Sequence, residues 1–249
     1  MPLLTDKIAL ITGGSSGIGL ATAKRFAAEG ATVLISGRRA DAIEEAIGQI
    51  GNAAAGFVGD VADPAFHGRV AGEIARRFGG LDIYVANAGI NTIRHSSEVS
   101  EAEYDAQFAV NARGAFFGVQ KTAPILRDGG AIVLTGSLAS DKVLDGHAVY
   151  AGSKAAIGAF ARSWALELRD RRIRVNVLSP GPTDTAILDK LGVPPEQRGT
   201  FSEAMAAAIP LGRMGQADEL ASAALFLASD ASSFVTGVNL RVDGGMALL

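Results

Sequence analysis

A phenol and an amine four residues apart are the first side chains in this chain able to pass a proton to a substrate. They are Tyr150 and Lys154, in Tyr150-Ala151-Gly152-Ser153-Lys154. On a helix, positions i and i+4 share one face. An ammonium beside a phenol favours the tyrosinate and is expected to lower the phenol from its ordinary value of about 10. A pair tuned in that way suits acid–base work near neutral pH. Tyrosine and lysine also stand at this spacing on many helices without any chemistry, so the pair needs companions. Ser137 supplies one: it lies thirteen residues before Tyr150, just after an apolar run at 131–134. Ligands of open parallel sheets sit at such strand ends, where the Ser137 hydroxyl is placed to hold a carbonyl oxygen. Asn111 supplies another, an amide within the apolar stretch Phe108-Ala109-Val110-Asn111. A buried hydrogen-bonding task and plain satisfaction of backbone groups explain it equally well.

A second constellation opens the chain. The apolar run 7–12 leads into Thr12-Gly13-Gly14-Ser15-Ser16-Gly17-Ile18-Gly19, and a helical pattern begins there. The spacing is T-G-x-x-x-G-x-G, not the commoner G-x-G-x-x-G. The physical logic is the same: glycines let the backbone turn tightly and approach a pyrophosphate at a helix N-terminus. A tight turn without a ligand would look similar, but a string after the first strand and at the start of the first helix meets the context of a dinucleotide site. Gly13, Ser15, Ser16, Gly17, Ile18 and Gly19 are the candidate contacts. Such a site expects a carboxylate about 20 residues on, for the ribose 2′-hydroxyl. Gly37 stands there instead, followed by Arg38 and Arg39. Guanidinium groups match phosphate geometry, so the site is expected to take NADP(H) over NAD(H), with Ser15 assisting. A solvated helix start is the alternative reading of the two arginines.

The elements that must hold these groups are short apolar runs alternating with longer helical patterns. The runs are 7–12, 32–36, 54–58, 81–86, 131–134, 173–178 and 238–241; the helical patterns are 17–29, 40–49, 64–78, 101–126, 147–169 and 216–229. Stretches such as Ile8-Ala9-Leu10-Ile11 are apolar without alternation, as in strands covered on both faces. Repeated strand–helix order implies a parallel sheet with right-handed crossovers. The expected fold is α/β, a single Rossmann-type doubly wound domain over 1–249, with about seven strands and helices on both faces. Residues 186–209 reach no strand, carry Pro194 and Pro195, and are expected to form a lid over the substrate, with Gly192 and Gly199 as hinges.

Composition narrows the function classes. Hydrophobic residues make up 48% and charged residues 20% of 249, a globular balance. Net charge is −3 with the signs interleaved, unlike the basic face of a nucleic-acid binder. No apolar stretch reaches the roughly 20 residues of a membrane span. There are no cysteines, which excludes thiolate chemistry. Residues 1–7 carry no basic segment leading into an apolar run, so a cytoplasmic setting is expected. His67 and His95 fit no metal-ligand spacing, and no catalytic metal is expected. His147, three before Tyr150, reads more readily as a loop histidine than as a pocket wall, and Asp184 and Asp189 read as solvated or capping residues.

The motifs taken together resemble the short-chain dehydrogenase/reductase family over essentially the whole chain. They are the turn 12–19, Asp60-Val61, Asn87-Ala88-Gly89, Asn111, Ser137, Tyr150-x-x-Ser153-Lys154, Pro180-Gly181 and Val242-Asp243-Gly244-Gly245. The resemblance implies that Tyr150 is the general acid/base and that Ser137 orients the substrate oxygen. Lys154 would bind the nicotinamide ribose and tune Tyr150, while Asn111 holds a water in the proton relay. Asp60 and Val61 would contact adenine, and Asn87, Ala88 and Gly89 would back the cofactor. Thr183 and Thr185, after Pro180 and Gly181, would meet the nicotinamide side. Ala86 departs from the pattern, since many relatives carry a second asparagine there. The resemblance also implies a homotetramer in which helices 101–126 and 147–169 pack across a two-fold axis.

For the substrate, the chain is similar to bacterial NADP-dependent alcohol dehydrogenases and carbonyl reductases that accept bulky ketones. The pocket is expected to be apolar, lined by Leu138, Val143, Leu144, Ile187 and Leu188, with Ile90, Leu191 and Met205 nearby. Arg94 and Lys142 are the only cations near it and are expected to face solvent. Two rivals remain: a 3-ketoacyl thioester reductase of the same fold, and a nucleotide-binding regulator without catalysis. The intact set Asn111, Ser137, Tyr150 and Lys154 argues against the regulator.

Overall fold

The computed structural model describes residues 2–51, 54–185 and 198–249. Each apolar run becomes a strand because its side chains divide between two cores. Leu10, Leu34, Tyr84, Ile132 and Leu134 face one core, while Ala9, Ile11, Val33, Ile35, Ile83, Val85 and Val133 face the other. This is the two-residue side-chain period of a strand read from both sides, which is why the runs show no polar alternation. The strands are β1 (Ile8–Thr12), β2 (Thr32–Gly37), β3 (Ala54–Val58), β4 (Leu81–Ala86), β5 (Leu126–Thr135), β6 (Arg174–Pro180), a two-residue β7 (Thr183–Asp184) and β8 (Gly215–Gln216), and β9 (Asn239–Val242).

Seven of them form one parallel sheet in the order β3-β2-β1-β4-β5-β6-β9. The chain runs outward from β1 to β3, then returns to place β4 on the other side of β1. That reversal is the switch point at which open parallel sheets bind ligands. β7 and β8 pair separately, Thr183 with Gly215 and Asp184 with Gln216.

The first helices are α1 (Gly17–Ala28), α2 (Ala40–Ile50) and α3 (Pro64–Phe78). α3 starts on Asp63, whose Oδ1 accepts from Ala65 N at 2.9 Å, with Pro64 in the first turn, and stops at left-handed Gly79 (φ 70°). α4 (Glu101–Phe108) and α5 (Gly114–Thr122) are joined by a π turn at Ala109–Arg113. α6 (Ala148–Glu167), α7 (Arg198–Ala207) and α8 (Ala217–Ala228) follow. Side chains of α3, α5 and α6 complete the first core, and those of α1, α2 and α8 the second. Arg174, 9% exposed, closes the C-terminal end of α8 by donating to the carbonyls of Leu227 (2.7 Å) and Ser229 (3.0 Å). A cation there satisfies the last carbonyls and opposes the helix dipole.

Three expectations shift. β5 begins at Leu126, five residues before the apolar run at 131. Leu126 pairs with Leu81, and a register irregularity between Leu81 and Ile83 absorbs the polar insert Arg127-Asp128-Gly129-Gly130. The predicted helix 101–126 ends at Thr122 and is broken by the π turn. The expected lid does contain helix α7, but Gly199 lies inside its first turn and not at a hinge; Gly192 lies outside the described residues.

Candidate active site

The C-terminal ends of β1, β4, β5 and β6 bring the candidate residues to one edge of the sheet. The glycine turn needs its glycines. Gly13 sits at φ 65° and Gly17 at φ 53°, in the left-handed region that disfavours other residues. A methyl group on Gly13 would lie 2.9 Å from Ala88 Cα, and one on Gly19 would lie 2.2 Å from Gly13 O. The backbone at the start of α1 is therefore bare, as a pyrophosphate requires. Ser16 caps α1 without a side-chain bond, and no acidic residue occupies the first turn, so the helix end keeps its positive field.

The turn is laced to β4. Thr12 Oγ1 accepts from the backbone N of Asn87 (3.0 Å) and of Ala88 (3.1 Å). Asn87 Nδ2 donates back to Thr12 O (3.0 Å) and Gly13 O (3.2 Å). Asn87 thus supports the turn from behind, and Gly89 beyond it separates two polar groups. A methyl on Gly89 would stand 3.1 Å from Lys154 Nζ and 3.2 Å from Asn111 Oδ1.

At the adenine side, Gly37 closes β2 beside Ser15. A methyl on Gly37 would come 3.3 Å from Ser15 Oγ. Arg38 and Arg39 are both exposed next to it. Arg39 reaches Asp41 only at 3.8 Å, and Arg38 has no ion pair among the described residues. Asp60 is exposed, with Oδ1 accepting from Ala62 N at 2.9 Å, and Val61 is buried. His67, unassigned in the sequence, pins this turn through a 2.9 Å contact between Nε2 and Val61 O; burial lowers its basicity. On the other side, Gly181 N donates to Val242 O (2.9 Å), and a methyl on Gly181 would meet Asp243 Cα at 2.6 Å. The Val242-Asp243-Gly244-Gly245 motif is a seat for the Pro180-Gly181 turn: the Asp243 carboxylate accepts from Gly245 N and Ala247 N, both at 3.0 Å. Thr183 turns inward and donates to Gly181 O (3.0 Å), while Thr185 lies 3.7 Å from where a Gly17 side chain would begin.

The four catalytic candidates meet. Ser137 is buried at the end of β5, where its hydroxyl faces the Tyr150 phenol and favours its ionised form. Its Oγ also accepts from Ala139 N (3.1 Å), which fixes the rotamer. Lys154, one turn along α6 from Tyr150, is 4% exposed and donates to Thr135 O at 2.8 Å. Asn111 sits in the π turn, not in a regular helix, and is 1% exposed. Its Oδ1 accepts from Ile90 N (2.9 Å), and its Nδ2 donates to Ile90 O (2.9 Å) and Ser153 Oγ (3.0 Å).

The tuning differs from the expectation. Burial pushes the Tyr150 phenol up, with only the Ser137 hydroxyl opposing it. Burial likewise pushes Lys154 down to about 8, so Lys154 does not lower the phenol in the chain by itself.

The expected pocket wall is only partly in place. Leu138 is 3% exposed and packs with Ile209, Met214 and Met246, inside a small core and off the open surface. It follows Ser137, but its side chain turns under the C-terminal segment. Val143 is 95% exposed. Ile90 and Leu144 are half-buried, and Met205 packs at the edge of the small core. Ile187, Leu188, Asp189 and Leu191 lie outside the described residues. Arg94 is exposed, as expected, and pairs with Glu103 (Nε to Oε1, 2.9 Å), whereas Lys142 is half-buried and donates to the main-chain oxygen of Leu249. Asp184 is exposed, as the sequence suggests. Among the described residues no group of three or more His, Cys, Asp and Glu comes together as a metal site. No helix among them is long and apolar enough to cross a membrane.

Comparison with known proteins finds relatives over nearly the whole chain. A family model described as enoyl-(acyl carrier protein) reductase matches residues 13–247. The chain is 37% identical over 253 residues to versicolorin reductase 1 of Aspergillus parasiticus, covering 97% of each chain. It is 38% identical over 251 residues to the 3-oxoacyl-[acyl-carrier-protein] reductase FabG of Thermotoga maritima, covering 98% of this chain and 99% of that one. A solved short-chain dehydrogenase/reductase from Serratia marcescens superposes with a TM-score of 0.92 at 34% identity, covering 98% of this chain and 99% of that one.

Proposed function

We propose that this chain, which belongs to the short-chain dehydrogenase/reductase family of oxidoreductases, interconverts a bulky hydrophobic ketone and its secondary alcohol using NADP(H). The observation that carries the reading is the convergence of Ser137, Tyr150, Lys154 and Asn111 beside a bare glycine turn. The nicotinamide cofactor, when bound, supplies the hydride for a carbonyl carbon or takes it from the alcohol. The Ser137 hydroxyl holds the substrate oxygen, and Tyr150 gives it a proton in reduction or removes one in oxidation. Burial keeps the phenol protonated, the form that donates. Lys154 holds the ribose and, when charged, steadies the tyrosinate that donation leaves. Asn111 fixes the Ile90 loop and holds the water through which the proton is replaced.

Preference for NADP(H) rests on Ser15, Gly37, Arg38 and Arg39, which offer hydroxyl and guanidinium donors where a carboxylate would favour NAD(H). The glycine turn, Asp60, Val61, Asn87, Pro180, Gly181, Thr183 and Thr185 complete the cofactor contacts. The apolar character of the substrate is supported by half-buried Ile90 and Leu144 and by the engagement of Arg94 and Lys142 elsewhere. A homotetramer in the cytoplasm completes the proposal. Leu166, Phe234, Leu248 and Leu249 are 65%, 103%, 80% and 75% exposed, apolar side chains that an interface between copies would cover.

A second reading has a specific observation behind it: the acyl-carrier names of the family model and of the Thermotoga relative favour a 3-ketoacyl thioester. Initial rates with NADPH on a bulky aryl ketone and on a 3-ketoacyl thioester decide between them, and a strong preference for the thioester would replace the ketone. In the same assay Tyr150→Phe should keep the fold and lose nearly all turnover. Retention of more than about a tenth of the activity, a barrier change of only about 1.4 kcal/mol, would remove Tyr150 from the proton step.

A further inference from the structure

We propose that His147 is a specificity-determining contact of this active site, its Nε2 accepting a hydrogen bond from a hydroxyl group carried by the substrate. The proposal rests on the ketone–alcohol reading above and narrows it to hydroxylated ketones. His147 stands just before α6 and three residues before Tyr150. Its ring meets the Tyr150 ring edge-on, with centroids 6.2 Å apart and planes at 67°. The imidazole is thus a neighbour of the phenol that handles the substrate oxygen.

Its orientation is set by the loop before it. Gly146 O accepts from Arg94 N at 2.9 Å, tying this loop to the one after β4, and His147 Nδ1 lies 2.7 Å from Asp145 O. A carbonyl oxygen only accepts, so Nδ1 carries the proton. In the neutral ring Nε2 is then an acceptor, and no described residue bonds to it. The ring is half-buried, not swung out into solvent.

The surroundings define what fits. Ile90 and Leu144 are apolar, Arg94 is taken by Glu103, and Lys142 by Leu249. His147 Nε2, beside the Tyr150 ring, is therefore an acceptor without a partner among the described residues. A carboxylate or phosphate brings no proton to it at neutral pH, whereas a hydroxyl does. A phenolic hydroxyl, a strong donor on a rigid apolar frame, satisfies both the acceptor and the apolar wall. A substrate lacking it leaves Nε2 to be desolvated without a partner.

The test uses NADPH with 1-tetralone and its ring-hydroxylated isomers, on the wild-type, His147→Phe and His147→Gln proteins. At least one hydroxylated isomer should exceed 1-tetralone in kcat/KM by about tenfold, mainly through KM, the size of one hydrogen bond. That ratio should fall to about one in His147→Phe and recover in part in His147→Gln, which restores an acceptor. No advantage for any isomer, or an advantage that survives in His147→Phe, would overturn the proposal. An equal fall in kcat on 1-tetralone and on the isomers would also overturn it, because His147 would then be supporting Tyr150 and not touching substrate. Calorimetric binding of 2-naphthol and its methyl ether to the enzyme saturated with NADP+ separates this from the reading beneath it. Tighter binding of the naphthol in the wild-type alone, with no ketone turned over, would keep the subsite and reject the reductase. Turnover of 1-tetralone without a hydroxyl advantage would do the reverse.

Discussion

Lys154→Met should abolish turnover and yet stabilise the cofactor-free protein at neutral pH. Lys154 is 4% exposed and has a carbonyl as its hydrogen-bond partner in place of a carboxylate. Burial brings its amine from 10.5 down to about 8. The folded protein therefore resists a charge that the unfolded chain carries freely, at a cost of about 3 kcal/mol at pH 7. Methionine removes that cost and forfeits the bond to Thr135 O, about 1 kcal/mol, for a net gain of about 2 kcal/mol. In a chain of this length that raises the melting temperature by about 4–8 °C. The sign follows from protons bound. Between pH 8 and pH 10.5 the unfolded state holds a proton on Lys154 that the folded state does not, so the wild-type gains stability as pH rises through that window. By pH 10 the remaining cost is about 1 kcal/mol, equal to the lost bond, and the two proteins should melt together. Thermal unfolding of both proteins without cofactor at pH 7 and pH 10 is the measurement. A variant no more stable than the wild-type at pH 7, or a gap that stays constant with pH, would refute the reasoning.

Arg38→Ala should lower the ratio of kcat/KM for NADPH over NADH by about tenfold or more, the worth of a charged hydrogen bond of about 1.5–3 kcal/mol. Gly37→Asp should act in the same direction, since its carboxylate would enter beside Ser15 Oγ; a wild-type that uses NADH as well as NADPH would sink both. Thr12→Val keeps the shape but strips the acceptor from the backbone N of Asn87 and Ala88, and should destabilise by roughly 2 kcal/mol; a melting temperature within a degree of wild-type would show that the lacing matters little. Light scattering at micromolar concentration should give about four times the 25.5 kDa chain mass, and a single-chain mass would reject the tetramer.

The seven strands were legible because each is an apolar run too short for a helix, punctuated by glycine or polar turns. The tyrosine and lysine proposed for the proton step were legible as a pair because helical spacing is rigid. What escaped the sequence depends on contacts between distant segments. Nothing local distinguishes Leu138 from a pocket residue; Ile209, Met214 and Met246, 71 to 108 residues later, draw it into a core. Val143 looks like any apolar wall, yet its loop turns it to solvent. Arg127-Asp128-Gly129-Gly130 reads as a turn and is carried within β5, because Leu126 continues the pairing with Leu81. His147 was read as a loop residue, and its loop position is correct; its meaning comes from the Asp145 carbonyl and the Tyr150 ring, which composition does not encode.

The π turn at Ala109–Arg113 has a consequence for how this helix tolerates changes in length. Each residue of a regular helix turns the following side chains by about 100° and advances them about 1.5 Å. A π turn fits one extra residue into that progression, so α4 and α5 run out of phase. Phe108, stacked on Tyr104 at 4.6 Å, aims by one phase, while Ala115 and Val119 aim at the core by another. Asn111 sits where the two meet and points at Ile90 and Ser153. Deleting one residue between 101 and 122 would let the helix relax into a single phase, and either the amide or the core contacts would then be misaimed by about a quarter turn. Length variation should therefore be tolerated in the loop before α4 and excluded within the helix, even though both are outwardly just connections between β4 and β5.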